Sequence, residues 1–282
     1  METLDVSGLD LVTEEEIADH VYELYTQSAP PNQRGLGYLE RSDLIHVTVN
    51  DHDLQIHQSV SSLSGKESSS TGFVAWSSSV PFAQWLPGWL GPSLKELQIV
   101  ELGAGVSGIL SATIGPKCSR YLATDQKHIL KLLKKNLEEN LSQEVHSTTL
   151  DASLPRNTRR TDIKNYPKID IAEYDWEYSD SMKNDILAFF PGGAPDLILA
   201  SDTIYNEYLI KPFADAIEGL SGNHTGFLGI LQLRDESIIE AFLVEMTNRA
   251  FQCYHIPGHL VSDELSHGYV LYYMRKAVVP SF

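Results

Sequence analysis

The sequence predicts an α/β fold, a doubly wound sheet of mixed direction, and three observations support it. First, Leu97 to Leu102 is a short apolar run feeding a glycine-rich turn (Gly103, Gly105, Gly108) that opens a helix, and a second short strand then ends on Asp125. Second, Asp196-Leu-Ile-Leu-Ala-Ser-Asp202 is the unbroken apolar run of a strand buried on both faces. Third, Gln252 to Ile256 and Tyr269 to Arg275 read as strands with no helical pattern between them, so the chain closes on an antiparallel pair. With Ile169 to Tyr174 and Phe227 to Leu233 these make a Rossmann-like, seven-stranded sheet with an antiparallel terminal strand.

The remaining elements follow in chain order. Glu14 to Gln27 places Ile17, Val21, Leu24 and Tyr25 on one helical face, with Thr13 as N-cap. Ile45, Val47 and Val49, then Leu54 and Ile56, alternate with polar residues on either side of Asp51-His52-Asp53, which predicts a β-hairpin. Ser59 to Thr71 is serine-rich and reads as a flexible linker. A helix through Phe82, Trp85 and Leu86 precedes the main domain. Within it, Gln126 to Leu141 carries Leu130, Leu133, Leu137 and Leu141 on one stripe, with Lys131, Lys134 and Glu138 outward. His146 to Lys168 is polar and contains Arg156, Arg159, Arg160 and Lys164, the pattern of a solvated insert. Helices near Leu209 to Leu220 and around Ile239, Phe242, Leu243 and Met246 complete the reading. The expected division is an N-terminal extension, residues 1–71, and a main domain, residues 72–282.

Composition bounds the function. Lys and Arg total 21 against 38 Asp and Glu, a formal charge of −17, which disfavours direct nucleic-acid binding and suits a basic partner. Only two cysteines are present, which fits a reducing compartment. No apolar run reaches the ~20 residues that span a bilayer. The acidic N-terminus lacks the basic and apolar regions of a signal peptide. A monomer in the cytoplasm, or the nucleus, is the expectation. His-x-x-x-His and Cys-x-x-Cys spacings, a Gly-x-Ser-x-Gly elbow and a Gly-Lys-Ser/Thr loop are all absent, which argues against a metal centre, a serine hydrolase and a P-loop.

The chemistry concentrates in the glycine turn. Strand, turn, helix, strand and an acid 20 residues after Gly105 describe a site for a nucleoside cofactor, with Asp125 placed to accept hydrogen bonds from ribose hydroxyls. Dinucleotides and S-adenosylmethionine (AdoMet) share that fingerprint. Glu101 tilts the choice, because a carboxylate near the helix N-terminus repels pyrophosphate but suits a ligand carrying a sulfonium and an ammonium. At the end of a later strand, Ser201-Asp202-Thr203-Ile204-Tyr205 projects Asp202 and Tyr205 toward the same edge. A strand-terminal Asp also serves as a helix N-cap, so pattern alone leaves both roles open. Trp76 and Trp176 stand beside this edge and could cover an adenine or close the pocket, although a buried Trp is more often plain core.

Together, Gly72-x-x-x-Trp76, Glu101-x-Gly103-x-Gly105, Asp125, Asp175-Trp176 and Asp202-x-x-Tyr205 resemble the seven-β-strand AdoMet-dependent protein-lysine methyltransferases of methyltransferase family 16, over about Gly72 to Lys276. The run Thr124 to Asn136 is similar to fungal members that modify ribosomal proteins. The resemblance implies AdoMet as cofactor. It implies that Gly103, Ala104 and Gly105 contact its methionine part, with Glu101 a cofactor-site residue of the same motif, that Asp125 holds the ribose, and that Trp176 lies on the adenine. Trp76 and Ser201 would line the pocket, and Asp202 and Tyr205 would face the substrate lysine. It also implies a basic protein substrate, for example a large-subunit ribosomal protein. Alternatives are a small-molecule or RNA methyltransferase of the same fold, a nicotinamide oxidoreductase, and a non-catalytic module that retains the fold.

Overall fold

The structure, a computed structural model, describes residues 5–28, 37–64, 70–141, 146–147 and 168–277. The strands are β1 (Asp10–Val12), β2 (Leu44–Val49), β3 (His52–His57), β4 (Gln98–Leu102), β5 (Arg120–Asp125), β6 (His146–Ser147), β7 (Lys168–Glu173), β8 (Leu197–Ser201), β9 (Gly226–Gln232), β10 (Phe251–His255) and β11 (Tyr269–Lys276). The helices are α1 (Ile17–Gln27), α2 (Ser79–Leu90), α3 (Ile109–Thr113), α4 (Lys127–Asn140), α5 (Ser179–Leu187), α6 (Glu207–Leu220) and α7 (Glu236–Asn248).

The main sheet runs β1-β10-β11-β9-β8-β4-β5-β7-β6. Seven of these strands are the expected ones. The two-residue β6 and the three-residue β1 extend the sheet to nine among the described residues. β9, β8, β4, β5 and β7 are mutually parallel, and β11 lies between β9 and β10, antiparallel to both. Strand order reverses between β4 and its neighbours β5 and β8, which opens a crevice at their carboxyl ends.

Alternation along β4 explains why the sheet needs two covering layers. Ile99 packs into one core with Leu86 and Leu90 of α2, Ile109 and Leu110 of α3 and Leu130, Leu133 and Leu137 of α4. Val100 and Leu102 pack into the other with Ile186 of α5, Phe213 and Ile217 of α6 and Phe242 and Leu243 of α7.

The N-terminal elements attach to both layers. Thr13 starts the first helix through a capping box, its N–H and hydroxyl both donating to the Glu16 carboxylate at 3.2 and 2.6 Å. Ile17, Val21 and Leu24 of α1 enter the second core, and β1 pairs with β10. The β2–β3 hairpin turns at Asn50, which takes φ 51°, and sends Ile45, Val49, Leu54 and Ile56 into the first core. Asn136 of α4, fully buried, ties that hairpin down. Its side chain accepts from the His57 N–H at 2.8 Å and donates to the carbonyls of His57 (2.8 Å) and Val106 (2.6 Å). The expected insert between His146 and Lys168 lies outside the described residues apart from its two ends, as does the middle of the serine-rich linker.

Candidate active site

β4 ends at Leu102 and the chain turns through Gly103 (φ 71°) and Gly105 (φ 61°) into α3. The N–H groups of Gly103 and Ala104 both donate to the Thr124 carbonyl at 3.0 Å, which fastens the turn to β5. A Cβ on Gly103 would come within 2.8 Å of Thr203 Cγ2 and 3.2 Å of the Trp176 ring, so only glycine lets these walls close on the turn. Gly105 donates to Asp125 Oδ2 at 2.8 Å, and Gln126 donates to Asp125 Oδ1 at 2.7 Å. Burial pushes the Asp125 carboxyl up to about 6, against the pull of those two backbone N–H groups.

A cleft of about 380 Å³ opens over this turn. It brings together eight of the ten residues singled out in the sequence: Trp76, Gly103, Gly105, Asp125, Trp176, Ser201, Asp202 and Tyr205. The other two do not line it. Ala104 is buried in the turn. Glu101 faces the core beneath the turn, where its Oε2 accepts from the Ser111 and Tyr121 hydroxyls at 2.6 and 2.7 Å. Desolvation raises its carboxyl to about 7, so near neutrality it is not a fixed negative charge offered to a ligand. Glu101 therefore presents no charge to a ligand in the cleft, contrary to the expectation from sequence, and the charge there comes from other residues.

Those residues are Asp125, Asp175 and Glu177, with the Arg234-paired Asp202 beside them. All four carboxylates line the cleft, and no Lys, Arg or His is among the described residues lining it. Such a lining repels a pyrophosphate and attracts a cationic ligand. Asp175 caps the short turn after β7, accepting from the Glu177 N–H at 3.1 Å, and also accepts from Gln126 Nε2 at 3.1 Å. The Trp176 ring lies 4.9 Å from Phe213, centroid to centroid. Its Nε1 is buried without a hydrogen-bond partner, and so is Thr203 Oγ1. Both residues line the cleft, and their unpaired polar atoms leave hydrogen-bonding capacity beside the glycine turn.

On the opposite rim, Trp76 Nε1 donates to the Thr71 carbonyl at 3.1 Å, and the Thr71 hydroxyl donates to Tyr205 Oη at 3.1 Å. Ser201 Oγ is 3.0 Å from Ser78 Oγ and 3.3 Å from Ser79 Oγ, which joins β8 to the start of α2. Tyr205 is 37% exposed and Tyr208 91%, so an aromatic mouth faces solvent.

Asp202 differs most from its expected surroundings. It takes φ 55°, and its side chain is 2% exposed. Arg234, two residues beyond β9, grips both carboxylate oxygens, Nη1 to Oδ1 at 2.7 Å and Nη2 to Oδ2 at 2.5 Å. The same guanidinium stacks over Trp76, 5.3 Å from the ring centroid. Nothing in the local sequence flagged Arg234, because its partners lie 32 and 158 positions upstream.

The donor set fits AdoMet. Asp125 offers anionic acceptors at the ribose position, the Gly103–Gly105 backbone allows close approach, Trp176 gives a flat wall, and the surrounding carboxylates suit a cation. Comparison with known proteins agrees. The profile of a lysine methyltransferase family matches residues 49–164. The chain is 28% identical to a ribosomal lysine N-methyltransferase 5 of Vanderwaltozyma polyspora, covering 92% of this chain and 97% of that one. It is 29% identical to the protein of that name from Lachancea thermotolerans (83% and 89% covered) and 30% identical to the one from Kluyveromyces lactis (84% and 90%).

Proposed function

The chain belongs to the lysine methyltransferase family, and from that premise we propose that it methylates a lysine side chain of a ribosomal protein with AdoMet as methyl donor. The observation that carries the reading is the cleft at the sheet's switch point, where Asp125, Asp175 and Glu177 stand with no basic side chain among the described lining residues, while Asp202 is paired with Arg234 behind it. When bound, AdoMet supplies an electrophilic methyl group on a cationic sulfur.

The chain's own residues do the rest. Asp125 holds a diol, and its own orientation is fixed by Gly105 and Gln126. Trp176 and Thr203 close one wall on a flat, polar ring system. Trp76 and Tyr205, both tethered through Thr71, flank the mouth where the lysine enters. A lysine of pKa ~10.4 is neutral in about one molecule in 2,500 at pH 7, so a channel that desolvates the ammonium favours the nucleophilic form. Holding that amine against the donor methyl supplies most of the rate, since no difficult bond polarisation is needed. Asp202 and Tyr205 are the residues nearest the chemistry in this reading.

The charge of −17 supports a basic protein partner rather than RNA. Residues 1–71 frame the substrate side: Thr71 lines the cleft, Leu39 donates to the Ala75 carbonyl, and Tyr38 bridges to Trp76. Among the described residues no helix is long and apolar enough to cross a membrane. The two cysteines, Cys118 and Cys253, are buried and unpaired, which supports a reducing compartment such as the cytoplasm. Incubation with methyl-labelled AdoMet and proteins acid-extracted from yeast ribosomes, followed by mass spectrometry, tests the proposal. Methyl groups on lysine support it. Label on nucleic acid, or on no protein, overturns it.

A further inference from the structure

Lysine methylation meets a difficulty at Asp202. A carboxylate beside the incoming amine stabilises the ammonium form, and an opposite charge within ~4–6 Å raises a lysine pKa by roughly 1 to 3 units. That deepens the very protonation the reaction must undo. The structure contains an answer. Arg234 spends two N–H donors on the two oxygens of Asp202, while the Gln232 N–H adds a third contact to Oδ1 at 3.3 Å. The guanidinium carbon then lies over the Trp76 ring, 5.3 Å from its centroid. One side chain therefore links the ends of β8 and β9 to the mouth of the cleft.

We propose that Arg234 is a positioning residue for methyl transfer, which cancels the charge of Asp202 and props Trp76 so that the substrate amine enters as the neutral nucleophile. The proposal rests on the lysine-methyltransferase reading above. It assigns Asp202 a structural share in the site: its φ of 55° shapes the chain toward Tyr205, and its carboxylate anchors Arg234 rather than the ammonium. The other titratable groups around the cleft are Asp125, Asp175, Glu177, Tyr174, Tyr205 and Tyr208. They are common to all the variants below, so differences among variants isolate the Asp202–Arg234 pair.

The test uses the full chain, labelled AdoMet and the yeast ribosomal protein extract, with rates followed from pH 6 to 10. Arg234→Met exposes the Asp202 charge. The rate profile should move at least one unit alkaline, with activity at pH 7 falling tenfold or more. Arg234→Met combined with Asp202→Asn should return the profile to its wild-type position, whatever its height. Arg234→Lys keeps the charge but loses the fork and the stacking, so it should keep the profile's position and lower its height. S-adenosylhomocysteine binding by calorimetry confirms that each variant retains a folded site. A second readout avoids turnover: n-butylamine is titrated into the S-adenosylhomocysteine complex in buffers of different ionisation enthalpy. Wild type should release about one proton to the buffer per amine bound, and Arg234→Met close to none. Unchanged proton release and an unmoved profile in Arg234→Met overturn the proposal. So does a lowered KM at constant profile, which would mean that the freed Asp202 holds an ammonium. Wild-type protein that labels no lysine instead removes the functional reading itself.

Discussion

Replacing Glu101 with glutamine should change how stability depends on pH while leaving the cofactor cleft intact. The residue is 3% exposed, sits among core side chains and has its carboxyl pKa raised from 4.5 to about 7, chiefly by desolvation. A raised pKa means that the folded state holds this proton over a range where the unfolded chain has lost it. Stability from this group is therefore complete below about 4.5, declines as pH climbs, and is lost above about 7. At about 1.4 kcal/mol per unit, the shift corresponds to roughly 3 kcal/mol. Glutamine keeps the shape and an oxygen to accept from Ser111 and Tyr121, but has no proton to lose. Urea unfolding from pH 4.5 to 8 should show Glu101→Gln gaining about 3 kcal/mol on wild type across that interval. The general acidic repulsion acts in both proteins and cancels in the difference, whereas the charge of Asp125, which helps raise the Glu101 carboxyl, contributes to it. AdoMet affinity should stay within about threefold, because Glu101 does not line the cleft. A difference that stays flat with pH, or a loss of AdoMet binding in a folded variant, would refute the placement of this carboxyl.

Other outcomes follow from the same geometry. Gly103→Ala combines a positive φ with contacts of 2.8 to 3.3 Å to Thr203 and Trp176; it should cost about 1–3 kcal/mol of stability and at least tenfold in AdoMet affinity, read by calorimetry. Asp125, with its carboxyl raised to about 6, loses its anionic acceptors as pH falls through that value, so AdoMet binding should weaken about tenfold per unit below pH 6, and Asp125→Asn should abolish the dependence. Asn136→Leu strands the His57 N–H and two carbonyls in the interior and should lower stability by roughly 2–4 kcal/mol, measured by denaturant titration.

What the sequence made legible, and what it did not, separates by range of interaction. The Leu97 to Asp125 stretch could be read because every constraint in it is local: a short apolar run, glycines at turn positions and an acid one strand away act within about thirty residues. The closing antiparallel pair was legible for the same reason, since a loop without helical periodicity leaves few other connections. β1 was not, because three residues, Asp10 to Val12, become a strand only by borrowing the ladder of β10, more than 240 positions away. Glu101 shows the limit at the site itself. Its position beside Gly103 is visible in sequence, but the direction of its side chain is set by the pleat of β4, which turns it toward Ser111 and Tyr121 and away from the cleft. Asp202 and Arg234 show the same limit more sharply. A residue named for the charge it would offer is found with that charge already engaged, by a partner that only the side-by-side pairing of β8 and β9 brings near. Side-chain type and spacing located the site, whereas the electrostatic character of each group depended on neighbours that the sheet order supplies.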